Sequence, residues 1–278
     1  MIANRKKKTV KMMFGTGASS AKTYNELYPL IRTVLDCGIF AFDTAPSYRT
    51  EAILGACLNE CIKKLDIDRD DLFIQTKIDI WQMAEGGMAV ESYIESVIKT
   101  MEIEYLDAVC IHWPVPEYME WTWDALVKAK KRGLVENIGI CNLRMRQLQR
   151  LPIGDIMPDF IQIERHPLRT CKKEIEYCSE KNIAIQAYSP LCKMNKNIAE
   201  NPDIYRIAER YGKNVGQIVL KWHIESGVTP IFTSRKKHRI REYALLEDFL
   251  LTKDEKELID SLNQDYKMYL ESLACPGF

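Results

Sequence analysis

The sequence predicts an α/β chain closed as a (β/α)8 barrel, and three observations carry that expectation. Eight short apolar, β-branched runs recur along the 278 residues. Helical patterns separate most of them. The length suits a single barrel of roughly 250 residues as well as it suits two domains of roughly 150.

The runs, in order, are VKMMF (10–14), GIFAF (38–42), LFIQTK (72–77), AVCIH (108–112), VENIGI (135–140), FIQIE (160–164), IAIQAY (183–188) and VTPIF (228–232). Most are continuously apolar, as strands of a covered parallel sheet are. Between them, 24–38, 51–65, 90–104, 122–133, 170–182 and 214–227 carry apolar residues at helical spacing. The first ends at Gly38, a residue suited to a helix C-terminus. Parallel strands need a crossover, usually a helix, and a right-handed series of such units closes at eight. The alternative is an open doubly wound sheet. Segments 203–211 and 253–263 exceed the simplest count, so extra helices are expected near the C-terminus, as insertions or a cover. No Gly-, Pro- or Ser-rich linker interrupts the pattern, so residues 1–278 are expected to form a single domain.

Composition narrows the function classes. Lys plus Arg equal Asp plus Glu at 39 each, so no global basic field recruits nucleic acid or an anionic membrane. The chain has nine cysteines, an odd number without a CxxC pair, which fits reduced thiols in a cytoplasmic protein better than a disulfide framework. Cys57 and Cys61 share a helical face, but no second pair or His completes a zinc set. The basic start MIANRKKKTV lacks the apolar region of a signal peptide, and no stretch approaches the roughly 20 apolar residues of a membrane span.

Active sites of such barrels lie at the carboxyl ends of the strands. There the sequence delivers Asp43 and, one loop later, Tyr48; then Lys77; then His112 with Trp113; then Cys141 and Asn142; then Gln162 and Glu164; then Tyr188, Ser189 and Pro190; and finally Thr233, Ser234 and RKKHRIR. Any one polar group at a strand end is unremarkable. Asp, Tyr, Lys and His arriving from three consecutive strands form a chemical set. A phenol ionises near roughly 10, too high for an efficient proton donor and acceptor near neutrality. A nearby ammonium favours the phenolate, and a carboxylate holds that ammonium and offsets its burial. A neutral imidazole can hydrogen-bond a carbonyl oxygen and fix its direction. Together Tyr48, Lys77, Asp43 and His112 would protonate a carbonyl oxygen as hydride reaches carbon. No side chain donates hydride, so a nicotinamide cofactor is required.

At this point the chain resembles the aldo-keto reductase family across essentially its whole length. The resemblance rests on GTGA (15–18), DTAPSYRTE (43–51), TKI (76–78), IHWP (111–114), GICN (139–142), IQIERHP (161–167) and AYSPL (187–191), all in order. It implies NAD(P)H-dependent reduction of aldehydes or ketones, with Tyr48 as general acid/base, Lys77 and Asp43 as its tuning pair and His112 orienting the carbonyl. It also implies that Cys141, Asn142 and Gln162 lie at the nicotinamide carboxamide and that Tyr188 stacks on the ring. Ser189 and Leu191 fall at the pyrophosphate, Ser234 and Arg239 at the adenosine phosphate, and Trp113 forms an apolar wall of the substrate pocket.

Departures qualify this. Cys141 replaces the usual Ser, and a thiol is a weak hydrogen-bond partner. Thr233 stands where many members have a Lys, and Tyr243 where an Asn is frequent. NADPH is favoured, with NADH the alternative. Gly17 stands where many members place a Trp, which implies a more open pocket. GTGASS lacks the full GxGxxG fingerprint, and RKKHRIR lacks interleaved aromatics. Two other readings compete: a dinucleotide-binding regulatory or sensor subunit with little turnover, and a barrel hydrolase or lyase using Asp43 and His112. The latter leaves Asn142, Gln162 and the YSP segment without a role. Substrate choice is expected from the loops 115–122 and 192–197 and the tail 266–278, with Met119, Trp121, Trp123, Met194 and Tyr269 as apolar surface. The expected partner is a small carbonyl compound, with no nucleic acid or membrane, and the expected state is a monomer.

Overall fold

The computed structural model describes residues 8–17, 21–143, 145–149 and 156–269. Basic residues 1–7, Ala18 of the GTGA segment with Ser19 and Ser20, and the tail from 270 onward, including Cys275, lie outside the described residues.

The strands are β1 (Met13–Gly15), β2 (Ala41–Asp43), β3 (Phe73–Ile78), β4 (Leu106–Ile111), β5 (Val135–Cys141), β6 (Phe160–Glu164), β7 (Ala184–Tyr188) and β8 (Val228–Phe232). The helices are α1 (Tyr24–Asp36), α2 (Glu51–Leu65), α3 (Ile80–Ala84), α4 (Gly87–Met101), α5 (Met119–Lys131) and α6 (Met145–Leu148). They continue with α7 (Lys172–Glu180), α8 (Lys196–Ala199), α9 (Pro202–Tyr211), α10 (Val215–Glu225), α11 (Lys237–Ala244) and α12 (Lys253–Asp260). Each strand pairs in parallel with its successor, and β8 returns to β1, Phe14 opposite Phe232. That last pairing closes the barrel and excludes the open sheet. The extra segments foreseen near the C-terminus are α9 and α12.

The apolar runs conceal a period of two. Phe14, Phe42, Ile74, Val109, Ile138, Ile161, Ile185 and Phe232 join the main core under the helices. The alternate residues point inward and form small separate clusters, Met13 with Ala41 and Ile231, and Ala108 with Cys110, Cys141 and Phe160. Toward the carboxyl ends the inward positions become polar: Asp43, Gln75, Lys77, Gln162 and Gln186 are all buried. An inward side chain needs space, and Gly139 provides it. A Cβ there would stand 2.6 Å from the Phe160 ring.

Capping residues set the helix limits. Thr23 with Glu26 closes the start of α1, Asn214 with Gln217 that of α10, and Thr252 with Glu255 that of α12. The expected helix 90–104 occurs three residues earlier, as α4. It begins after Gly86 at φ 97° and stops at left-handed Glu102, φ 54°. The short α3 was unforeseen; its cap is Asp79, paired with Gln82. Among the described residues no helix is long and apolar enough to cross a membrane.

Candidate active site

Asp43 ends β2, and the chain must then turn. Ala45 is extended, Pro46 opens a single 3-10 turn, and Arg49 takes a left-handed conformation before α2 starts. Tyr48 is the last residue of that turn, its N–H donating to the Ala45 carbonyl at 3.0 Å. Beneath the turn, the hydroxyls of Thr16, Thr44 and Thr50 form a buried cluster, with Thr50 Oγ1 2.8 Å from Thr16 and 3.1 Å from Thr44. These contacts fix the phenol at the carboxyl mouth of the barrel.

Lys77 reaches the same place from β3. Its Nζ donates to both Asp43 carboxylate oxygens at 2.7 Å and to the Thr44 carbonyl at 3.0 Å. The pair is buried. Burial is the largest single influence and would push the ammonium pKa down, but the Asp43 carboxylate, with Tyr48, Cys110 and Cys141 beside it, together outweigh it and hold Lys77 charged, well above the ordinary value. The ammonium lies 4.9 Å from the centroid of the Tyr48 ring. For the phenol the balance differs from the sequence expectation. Burial is the largest influence and raises its pKa; Lys77 opposes that, Asp43 adds to it, and the result stays above the usual phenol value. Tyr48 therefore keeps its proton at neutral pH, the state of a proton donor.

His112 follows β4 directly, its N–H donating to the Ile78 carbonyl at 2.9 Å. Its ring meets that of Tyr48 edge-on, centroids 5.8 Å apart, and Trp113 lies against its other side at 6.4 Å. Its Nδ1 is bonded to Asp79 Oδ1. A Cβ on Gly17 would come within 3.6 Å of the Tyr48 ring, so this glycine leaves that side of the phenol uncovered by a side chain.

A polar layer lies below. Gln75 Nε2 donates to Asp43 Oδ1 at 2.8 Å, and Gln162 Nε2 to the same oxygen at 3.2 Å. Gln75 and Gln186 exchange reciprocal bonds at 2.9 and 2.8 Å, and Gln162 donates to Gln186 at 3.0 Å. Both donor hydrogens of Gln162 are thus in use, which leaves its Oε1 for a ligand amide. Asn142, left-handed at φ 62°, accepts from the Tyr188 hydroxyl at 2.7 Å and donates to the His112 carbonyl at 2.9 Å. Tyr188 and Asn142 therefore stand together at the mouth.

Cys141 faces the barrel interior in register with Gln162. It is fully buried, its sulfur 3.2 Å from that of Cys110, and burial pushes its pKa well up. The departure from Ser places an inert thiol inside the barrel. Ser189 is left-handed at φ 49°, which turns the chain from β7 towards half-buried Leu191. Ser234 spends its hydroxyl on Lys236, accepting from its N–H at 3.1 Å. Arg239 lies on α11 and lines a cavity of about 470 Å³ with Met194, Lys213, Asn214, Gly216 and Tyr243. Of the basic stretch only Arg239 turns to this cavity, one helical turn before buried Tyr243, while Ile240 is buried in the core. Tyr243, edge-on to Phe232 at 5.7 Å, supplies an aromatic wall where the sequence comparison had suggested an Asn.

Two apolar residues expected near the substrate are buried in the helical layer instead. Met119 and Trp123 are 3% and 1% exposed, because α5 starts at Met119 and its period turns both inward. Trp121 stays partly exposed, its indole N–H donating to the Met83 carbonyl at 2.8 Å. Tyr269 packs edge-on to Tyr188 at 5.8 Å. Sequence reasoning also missed Gln75, Gln186 and Asp79. A signal existed for the glutamines: the dipeptide Ile-Gln recurs at 74–75, 161–162 and 185–186, at equivalent depths in β3, β6 and β7.

Comparison with known proteins agrees with this geometry. The model of the Aldo/keto reductase family matches residues 11–264. The chain belongs to the aldo/keto reductase family. It is similar to the uncharacterized oxidoreductase YtbE of Bacillus subtilis, 35% identical over 256 residues, 92% of this chain and 90% of that one. It is 33% identical over 256 residues to a glyoxal reductase of the same organism, again 92% of this chain and 90% of the relative. Methylglyoxal reductase DkgA of Escherichia coli K12 is 32% identical over 263 residues, 93% and 92% of the two chains. Among solved structures, an aldo-keto reductase of Bombyx mori in complex with NADP superposes with a TM-score of 0.86. It is 28% identical, with 94% of this chain and 91% of that one covered. Family membership makes this reductase barrel an oxidoreductase.

Proposed function

We propose that the protein reduces small aldehydes or ketones to alcohols with NADPH, on one catalytic domain spanning residues 1–278, with Tyr48 as the proton donor. The observation that carries this reading is the buried Lys77–Asp43 pair set under the Tyr48 ring, which in turn faces His112. When bound, the nicotinamide supplies the hydride. This chain's own residues do the rest. Lys77 and Asp43 hold a fixed dipole beneath the phenol, and Tyr48 gives its proton to the carbonyl oxygen as negative charge develops there. His112 directs that oxygen.

The donor set fits a dinucleotide. Asn142, Gln162 and Tyr188 offer an amide, an acceptor and an aromatic face at the mouth, and Ser189 and Leu191 follow them. The cavity beside Arg239 is roomy and carries a guanidinium for a phosphate. The dicarbonyl substrates in the names of the relatives suggest glyoxal and methylglyoxal as first compounds to try.

The test is NADPH oxidation on a panel of glyoxal, methylglyoxal and aliphatic and aromatic aldehydes, repeated with NADH. Tyr48→Phe should lower kcat by about 10²- to 10⁴-fold while NADPH binding persists. Tight NADPH binding without turnover on any member of the panel would replace this reading with that of a dinucleotide-binding regulatory subunit.

A further inference from the structure

Asp79 is absent from the set the sequence suggested, yet it touches His112. Its carboxylate is buried between two elements. Oδ1 meets His112 Nδ1, and Oδ2 accepts from the Ser47 N–H at 2.8 Å, in the turn that carries Tyr48. Its backbone N–H donates to Gln82 Oε1 at 2.9 Å as it caps α3. A carboxylate at Nδ1 dictates where the imidazole keeps its proton. The N–H must lie on Nδ1, since two lone pairs would otherwise face each other. In a neutral ring Nε2 then has only a lone pair, which repels a carbonyl oxygen. Donation from Nε2 requires a second ring proton, and a buried carboxylate is the counterion for it.

We propose that Asp79 is a positioning residue for carbonyl reduction, holding His112 by Nδ1 so that it meets the carbonyl oxygen through Nε2 as one half of an ion pair. The proposal rests on the reductase reading above. It changes the role of His112 from neutral donor to charged donor. His112 keeps both ring protons through the step, and the proton that completes the alcohol still leaves Tyr48.

The surroundings favour such a pair. Burial alone would push the Asp79 carboxyl up, yet His112 and the Ser47 N–H together hold it below the usual carboxylate range. From the β2–α2 turn, Tyr48 faces His112 with its ring edge, and Lys77 of β3 lies under that phenol rather than against the imidazole. From α2 and α4, Glu51 and Tyr93 act electrostatically on Asp79, but both are tied to the Thr76 hydroxyl and to each other. After β4, Trp113 lies against the ring, and after β5, Asn142 reaches His112 at its backbone carbonyl.

The test reads His112 directly. The chain has four histidines, so ¹⁵N-histidine NMR resolves them, with His112→Gln assigning the signal. Asp79→Asn and Asp79→Ser both remain competent helix caps, which keeps α3 intact. In the free wild-type protein at alkaline pH the proton should lie on Nδ1, and both variants should move it toward Nε2. In the same variants kcat/KM for reduction should fall about 10- to 100-fold with the Kd for NADPH unchanged. A wild-type ring protonated on Nε2 alone would overturn the proposal. So would variants in which only the tautomer or only kcat/KM changes. A wild type inactive on every carbonyl would remove the reductase reading and the role of Asp79 in it, leaving the tautomer as a separate structural result.

Discussion

At the scale of single residues, the site depends on one buried charge pair. Removing Lys77 leaves the Asp43 carboxylate buried with only Gln75 and Gln162 as partners. Lys77→Met is therefore expected to cost about 3–5 kcal/mol, read as a shift of the urea midpoint. Adding Asp43→Asn should recover part of that loss, because no unpaired charge remains. If the double variant is no more stable than the single one, the cost lies in packing rather than charge. The four central residues were legible because Asp43, Lys77 and His112 sit at or just past strand ends and Tyr48 lies in the turn after β2, each within a distinctive short motif. Asp79 was not. In sequence it reads as an ordinary cap, Asp-x-x-Gln before a short helix, and only the approach of β4 to β3 brings His112 onto it. Cys141 was legible as a departure but not in its consequence. The strand period that turns Lys77 inward also turns Cys141 against Cys110.

At the scale of elements, two glycines mark where helices and strands approach most closely. Gly55 of α2 lies against α4, and a Cβ there would stand 2.5 Å from the Met101 Cα. Backbone cannot swing aside as a side chain can. Gly55→Ala should therefore destabilise more than Gly139→Ala, whose clash is with the Phe160 ring and should cost about 1–3 kcal/mol. Phe160→Leu should relieve the second and leave the first untouched, a contrast that thermal melts of the four variants would reveal. The strands were legible to this degree because apolar runs survive burial on both faces. FIQIE and VTPIF coincide with β6 and β8. The short helices α3, α6 and α8 escaped because four or five residues are too few to show a helical period.

At the scale of the whole molecule, pH acts from both sides. Asp79, Glu164 and Glu255 have carboxyl pKa values lowered by the fold. The unfolded chain binds more protons than the native one as pH falls through their ordinary range near about 4, so stability is lost there. Tyr93 and Tyr188 are raised by burial, and the Cys178 thiol is pushed up to about 12. The native chain keeps protons that the unfolded one gives up, so stability falls again above about 8.5, where free thiols begin to ionise. Melting temperature against pH should show a plateau between these limits, and a steady rise through the alkaline range would contradict the assignment. The glutamine layer carries a different consequence. Gln75, Gln162 and Gln186 come from three strands and meet at or beside one carboxylate, so the seams of the barrel and the acid of the proposed site share the same bonds. Such an enzyme has no half-failed state: on heating, its residual activity and its circular dichroism should decay along a single curve, each serving as a gauge of the other.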